Sequence, residues 1–160
     1  MKYLQHVICL TLFLFASCEE KEKELWTLTE SDKQEIEKAT RDIPLTLANE
    51  GWDAYTKAFT NNYQNWAMQG DGIRERDDFF PLVKEWYEAG NRAIGSEVKT
   101  IGFITVAPKK VLYLHKQTEV FKYVDQTDTV SRDIRFVTLF EKKGEDWKVR
   151  FTEFMDEPGD

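Results

Sequence analysis

The sequence predicts an α+β domain in which helices come first and an antiparallel sheet follows. Up to about residue 93, apolar residues recur every three or four positions, as they do on one face of a helix. From about residue 97 onward they alternate with polar residues, and connections of hairpin length separate the runs. At 160 residues the chain suits one domain with its own core. This order favours a layered α+β architecture over a parallel sheet.

The first helix is predicted to begin near residues 29–31. Ser31 and Gln34 have the spacing of a capping box, and an apolar stripe follows them. Pro44 interrupts this stripe, so we expect a kink or a break near Ile43. The stripe consists of Ile36, Ala39, Ile43 and Leu47.

Two further helices and a first strand are predicted before residue 93. A short helix spans 52–59 and is stopped by Asn61 and Asn62, and a strand at 63–68 ends in a turn at 69–72. The third helix spans 77–93 and carries Pro81 in its first turn, where a missing N–H is tolerated.

Four strands are predicted in the second half of the chain, with turn residues between them. Consecutive strands joined by hairpins form a meander, so a four-stranded antiparallel sheet is expected. Their ranges are 98–106, 111–124, 130–141 and 147–155.

The N-terminus has the pattern of an export signal. Residues 1–17 contain the apolar run 7–15, which is too short to span a bilayer, followed by small residues. The segment Phe15-Ala16-Ser17-Cys18 resembles the bacterial lipobox, which implies lipid on Cys18 and a membrane anchor in the cell envelope, at the outer-membrane periplasmic face or the cell surface. An ordinary secretory signal is the alternative. Residues 18–28 form an acidic tether, which is either a plain spacer or a surface-export signal.

The charge and the motifs exclude several partners. The formal net charge is −7 and no basic run exceeds two residues, so nucleic acid is not expected to bind. After signal removal Cys18 is the only cysteine, which rules out an intrachain disulfide. His115 is then the only histidine, and we expect neither a metal site nor a cofactor.

The order of elements and three motifs resemble the nuclear transport factor 2-like superfamily, which includes SnoaL-like cyclases and ketosteroid isomerases. The motifs are Gly51-Trp52-Asp53-Ala54 with Phe59, the glycine turn Gly70-Asp71-Gly72-Ile73-Arg74, and the closing hairpin at 143–149. The resemblance covers about residues 31–156 of a domain at 29–158. It implies a cone-shaped fold, with a curved antiparallel sheet wrapped around about three helices. It also implies a pocket at the wide end and, often, a homodimer formed through the sheet.

Two residues are catalytic candidates. Glu153 shares one face of the last strand with Trp147, Val149 and Phe151 and breaks their apolar row, so it is either a pocket carboxylate or a solvated residue near a strand end. His115 could carry a proton, paired with Glu119, or lie idle on an exposed face. By the resemblance, the three catalytic positions of ketosteroid isomerases are vacant here, since they fall near Ile43, at Ala67 or Met68, and at Thr138. The candidates for lining the pocket are Trp66, Trp86, Tyr87, Phe103, Tyr113, Thr138 and Phe151.

Three functions remain open on the sequence. The first is a lipid-anchored module that binds a small apolar molecule or a protein. The second is an isomerase, cyclase, dehydratase or hydrolase acting on an apolar substrate. The third is a purely structural homodimer. A cavity of roughly 300 Å³ or more would count against the third, and a collapsed apolar interior would count against the second.

Overall fold

The computed structural model describes residues 26–67 and 72–156. The predicted signal peptide, Cys18 and residues 69–71 of the predicted turn lie outside these ranges. Among the described residues, no helix has the length and apolar character needed to cross a membrane. The elements in chain order are α1 (Glu30–Asn49), α2 (Trp52–Lys57), β1 (Phe59–Ala67), β2 (Ile73–Glu75), α3 (Arg76–Glu88), β3 (Arg92–Ala107), β4 (Lys110–Lys122), β5 (Thr129–Lys143) and β6 (Asp146–Asp156).

Helix α1 begins at Glu30, within the predicted interval 29–31, but its capping box lies two residues before the predicted one. Thr29 is the N-cap; its hydroxyl accepts from the backbone N–H of Asp32, and the Asp32 carboxylate accepts from the backbone N–H of Thr29. Ser31 is exposed and donates to the Glu35 carboxylate instead. The capping box predicted at Ser31 is therefore wrong in position.

Of the predicted kink or break near Ile43, the break is wrong, because α1 is a single helix with Pro44 inside it. Proline has no N–H, so the carbonyl of Thr40, four residues earlier, loses its helical partner. The Gln117 side chain of β4 donates to this carbonyl from 3.4 Å. A hydrogen bond from the sheet thus replaces the one that proline removes.

Strand β1 begins at Phe59, four residues before the predicted start, and contains the exposed Asn61 and Asn62. Its start is set by long-range pairing: Phe59 pairs with Val149 of β6, and the Val149 N–H donates to the Ala58 carbonyl at 2.9 Å. The predicted end of α2 at residue 59 is wrong for the same reason. The short strand β2, which was not predicted, pairs antiparallel with β1.

Helix α3 ends at Glu88, five residues before the predicted end, and β3 begins six residues before its predicted start. Gly90 has a φ of 97°, a conformation that favours glycine and ends the helix. Ala93, predicted as the helix end, is a buried strand residue that pairs with Phe121 of β4. Pairing with β4 again decides the boundary.

The six strands form one sheet in the order β2-β1-β6-β5-β4-β3. The pairs among β3, β4, β5 and β6 are antiparallel, which confirms the predicted meander, while β1 and β6 are parallel. The sheet is therefore mixed at this point, and not antiparallel throughout. Helices α1 and α3 contact one face, and this face carries the core. The predicted α+β class, a curved sheet around three helices, is confirmed.

Candidate ligand-binding cavity

A cavity of about 500 Å³ lies between the helices and the sheet face that they cover. Its lining is mainly aliphatic and aromatic. Helix α1 contributes Ile43 and Leu47, helix α3 contributes Val83 and Trp86, and the strands contribute most of the rest. Ligand pockets in proteins have this size and composition.

Three neighbouring strands place polar side chains at one level of the cavity wall. Thr138 of β5 pairs with Thr152 of β6, which pairs with Asn65 of β1. All three are buried and line the cavity, and together they are called the polar belt. The Tyr63 hydroxyl hydrogen-bonds the side chains of Thr152 and Asn65, and burial raises the pKa of Tyr63 to about 12. Tyr63 is therefore uncharged at neutral pH, as are the amide and the two hydroxyls of the belt.

An aromatic ladder of five rings runs across β3 to β6. Successive ring centroids lie 4.6, 4.5, 5.0 and 5.8 Å apart. The rings are nearly parallel in the first three pairs. The last three rings of the ladder line the cavity. The ladder offers a flat, largely apolar wall to a bound molecule. Its members in order are Phe103, Tyr113, His115, Phe136 and Phe154.

His115 is a titratable group in the cavity wall whose pKa is governed by burial. Its side chain is 1% exposed, and this burial lowers its pKa to about 4, despite hydrogen bonds with the Tyr113 backbone and the Gln117 side chain that favour the charged form. The imidazole is therefore neutral at pH 7. Its Nδ1 has no hydrogen-bond partner among the described residues.

A second polar atom of the cavity wall is also unpartnered. Asn65 is 1% exposed, and its Oδ1 has no hydrogen-bond partner within the described part of the chain. Buried polar atoms without partners are rare in native proteins, because each carries an uncompensated desolvation cost. Asn65 and His115 thus each carry a buried polar atom whose desolvation is not compensated within the described part of the chain.

Charge is confined to the rim of the cavity. Within residues 26–67 and 72–156, the charged residues that line it are Arg74, Glu119 and Arg132. Arg74 and Arg132 are exposed, and the Arg132 guanidinium lies 6.0 Å from the centre of the Phe121 ring. No group of His, Cys, Asp and Glu in the described ranges is arranged to hold a metal ion.

Comparison with known proteins identifies the fold. No protein-family model matches the chain, and no curated protein matches its sequence. Solved structures do match: a protein of unknown function from Prochlorococcus sp. NATL2A, described as NTF2-like, is 16% identical with a TM-score of 0.62, covering 80% of this chain and 94% of its own. The chain has the nuclear transport factor 2-like fold.

Two other structures with the nuclear transport factor 2-like fold carry names of enzymes. A candidate scytalone dehydratase from Novosphingobium aromaticivorans is 12% identical, with a TM-score of 0.66 and coverage of 80% of this chain and 85% of its own. A ketosteroid isomerase-like protein from Erwinia carotovora atroseptica is 10% identical, with a TM-score of 0.61 and coverage of 82% and 100%. At these identities the likeness concerns the fold.

The nuclear transport factor 2-like cavity contains some of the residues predicted for it. His115, Trp86 and Thr138 line the cavity, as does Glu119. Of the vacant isomerase positions, Ile43 and Thr138 lie in the wall. The other predicted residues are not part of the lining: Trp66, Tyr87, Phe103, Tyr113, Phe151 and Glu153.

A β-bulge in β6 explains why Glu153 and Phe151 lie elsewhere. Phe140 of β5 pairs with Val149, but Leu139 pairs with Phe151, so Arg150 is an extra residue. The inward phase changes there from odd to even positions. The shared face predicted for Val149, Phe151 and Glu153 is therefore wrong. Trp66 of β1 pairs with Glu153, so its side chain also lies on the outer face of the sheet.

The remaining three aromatic residues have other contacts. The Tyr87 ring lies 3.9 Å below the Arg92 guanidinium. The Tyr113 hydroxyl hydrogen-bonds Thr100 at 2.7 Å, and Phe103 stacks on Tyr113, so both belong to the ladder beyond the cavity wall. Sequence reasoning missed Asn65 and Thr152, although the alternation of Tyr63 with Asn65 was a usable signal.

Proposed function

We propose that the domain binds a small apolar molecule in the cavity between sheet and helices. The observation that carries this proposal is the cavity itself, about 500 Å³ with aromatic and aliphatic walls and a few polar groups on one side. A purely structural role predicts an interior filled by its own side chains. The open volume therefore favours a binding role over a structural one.

The chemistry of the walls favours binding over catalysis. The polar belt consists of one amide and two hydroxyls, which are neutral over the physiological pH range. His115, with a pKa of about 4, is a weak base for abstracting a proton at neutral pH. Glu119 is the one carboxylate among the described lining residues, and it lies at the rim next to Arg132 on the neighbouring strand.

An acid–base enzyme acting on an apolar substrate is the second candidate. One observation favours it: His115 is buried in the wall with an unpartnered Nδ1, as a proton acceptor would be. The fold neighbours named as a dehydratase and as isomerase-like support the same class. The reaction would be an isomerisation, cyclisation, dehydration or hydrolysis. It would depend on His115 and not on Glu153, which does not line the cavity.

Filling the cavity should abolish binding of an apolar probe. We expect the fluorescent probe N-phenyl-1-naphthylamine to bind with one molecule per chain, and Ala93→Phe to weaken binding at least about tenfold, because Ala93 is buried in the wall. Ile94→Phe is the matched control, since Ile94 is the next residue and 51% exposed. Titration of probe fluorescence measures both. Equal binding by all three proteins, or none by any, would contradict the proposal.

We also propose that the domain is held at a membrane of the cell envelope by lipid on Cys18. The lipobox-like segment before Cys18 and the charged tether after it support this location. Metabolic labelling with palmitate should mark the wild-type protein and leave Cys18→Ser unlabelled. Cys9→Ser, which changes the cysteine within the signal peptide, should keep the label; equal labelling of both variants would exclude Cys18 as the site.

The homodimer implied by the resemblance stays a prediction. An apolar row on the outer face of the sheet supports it, because the register aligns Ile104 with Leu112, then Leu139, then Phe151 across four strands. Ile104 is 51% exposed. A second copy of the chain is the partner that we propose for this row.

A further inference from the structure

A second concavity, of about 300 Å³, lies where β1 begins beside the β5–β6 hairpin. It shares only Phe59 with the lining of the apolar cavity. Its lining within the described part of the chain is Phe59, Thr60, Asn61, Asn62, Lys143 and Lys148. We call it the lysine concavity. None of these residues is acidic, although the formal net charge of the chain is −7.

A mismatch between β1 and β6 opens the lysine concavity. Phe59 pairs with Val149 and Gln64 pairs with Phe151, so four residues of β1 lie opposite one residue of β6. The extra residues include Asn61 and Asn62, whose exposed side chains line the concavity together with Lys148. Bulges that re-aim side chains in this way are common beside functional sites.

Lys148 is a cation without an acidic partner. It pairs in register with Glu141 of β5, but the Glu141 carboxylate lies 2.9 Å from Lys143 Nζ and 3.5 Å from Lys110 Nζ. Among the described residues, no carboxylate lies within 4.0 Å of the Lys148 ammonium, and the exposed Asp146, opposite Lys143 in the hairpin, forms no ion pair. Positive charge therefore remains uncompensated at the concavity.

The polar groups of the lysine concavity are accessible from solvent. Asn61 and Asn62 are exposed, the Lys143 side chain is 51% exposed, and Lys148 is half-buried. Thr60 Oγ1 is buried, so a ligand does not need to touch it. A molecule entering the concavity meets ammonium and amide N–H donors from three strands, β1, β5 and β6.

We propose that the lysine concavity binds a phosphate group. Lysine ammonium groups bind phosphate as point charges, and asparagine amides add neutral N–H donors. Donors from three strands suit a tetrahedral anion with several acceptor oxygens better than a planar carboxylate with two. A soluble phosphomonoester and the phosphodiester of a lipid headgroup offer this same chemistry. The site is separate from the apolar cavity, so its failure would leave the proposed binding of an apolar molecule unaffected.

Calorimetric titration of the full-length protein with three soluble probes tests the phosphate site. The probes are glycerol 3-phosphate, glycerophosphoglycerol and acetate, each at about 0.15 M ionic strength. We expect at least one of the two phosphates to bind about tenfold more tightly than acetate. Tighter binding of the monoester supports a soluble ligand, and tighter binding of the diester supports a lipid headgroup. Acetate binding as tightly as both phosphates, or no binding by any probe, would overturn the proposal.

Three variants test the position of the phosphate site. Lys148→Met should weaken phosphate binding at least about tenfold, and Asn62→Ala should weaken it severalfold. Lys110→Met is the matched control, because it removes the same charge beside Glu141 from a residue outside the lining, and it should change the affinity less than about twofold. Equal losses in Lys110→Met and Lys148→Met would indicate general electrostatic attraction and overturn the site, as would no loss in Lys148→Met and Asn62→Ala.

Binding of N-phenyl-1-naphthylamine separates this inference from the function of the apolar cavity. Lys148, Asn62 and Lys110 do not line that cavity, so all three variants should bind the probe as the wild-type protein does. Loss of phosphate binding in Lys148→Met with probe binding retained supports the phosphate site. Loss of both together would show a general structural effect of the substitution and overturn the assignment to Lys148.

Discussion

Replacing Asp32 with asparagine is expected to lower the free energy of unfolding by about 2 kcal/mol at pH 7. The Asp32 carboxylate is 5% exposed and accepts from Lys142 Nζ at 2.7 Å, from Trp147 Nε1 at 3.1 Å and from Thr29. Burial raises the pKa of Asp32, but these hydrogen bonds outweigh it and lower the pKa from 3.8 to about 2. The carboxylate joins the first turn of α1 to the β5–β6 hairpin. Urea unfolding measures the loss.

Glu35 provides the matched control for this effect. Its carboxylate is 4.0 Å from Lys142 Nζ but 48% exposed, so Glu35→Gln should cost less than about 0.5 kcal/mol. Because the pKa of Asp32 is depressed, its contribution is present above pH 3.8 and is lost as the pH falls through 2. The difference between wild type and Asp32→Asn should shrink over that interval. Equal stability of the two variants at pH 7 would contradict the assignment.

The sequence predicted correctly those helices and strands whose hydrophobic pattern does not depend on contacts with distant parts of the chain. Strand β4 pairs with β5 without any shift of register, so simple alternation is enough to place His115 and Gln117 on one face of the strand, which the structure shows to be the inner one. The apolar stripe of α1 likewise predicted buried Ile36 and Leu47. In both cases the hydrophobic period alone carries the information.

The prediction failed where a distant strand decides the local structure. The start of β1 at Phe59 depends on pairing with Val149 of β6, 90 residues later, and no local signal outweighs the two asparagines that follow. The bulge at Arg150 depends on the fit between β5 and β6. One extra residue moved Glu153 outward and brought Thr152 into the polar belt. The positions of the site residues on β4 were thus predictable from alternation, whereas those on β6 were not.

The continuity of α1 is a further effect of tertiary contact. Proline inside a helix is unfavourable because it leaves a carbonyl unpaired, which is why the sequence predicted a kink or a break. Gln117 supplies the missing donor from β4, and its side chain also donates to Ser96 at 2.9 Å. Gln117, which hydrogen-bonds α1, is therefore also a cavity-lining residue, two positions from His115 on the same strand. Helix position and cavity shape are coupled through this side chain.

Acidification from pH 7 to pH 4 is expected to destabilise the wild-type protein by about 3 kcal/mol more than a His115→Phe variant. The folded state holds His115 neutral with a pKa of about 4, whereas the unfolded chain has the ordinary value of 6.5. Below pH 6.5 the unfolded state binds a proton that the folded state does not bind. The free energy of unfolding therefore falls as the pH falls, and this loss is nearly complete at pH 4. Phenylalanine retains the stacking on Tyr113 and Phe136 and has no proton to bind.

Urea unfolding of both proteins at several pH values between 7 and 4 isolates this effect, because the carboxylates contribute equally to each profile. Parallel profiles would show that His115 titrates normally and is not desolvated in the cavity wall.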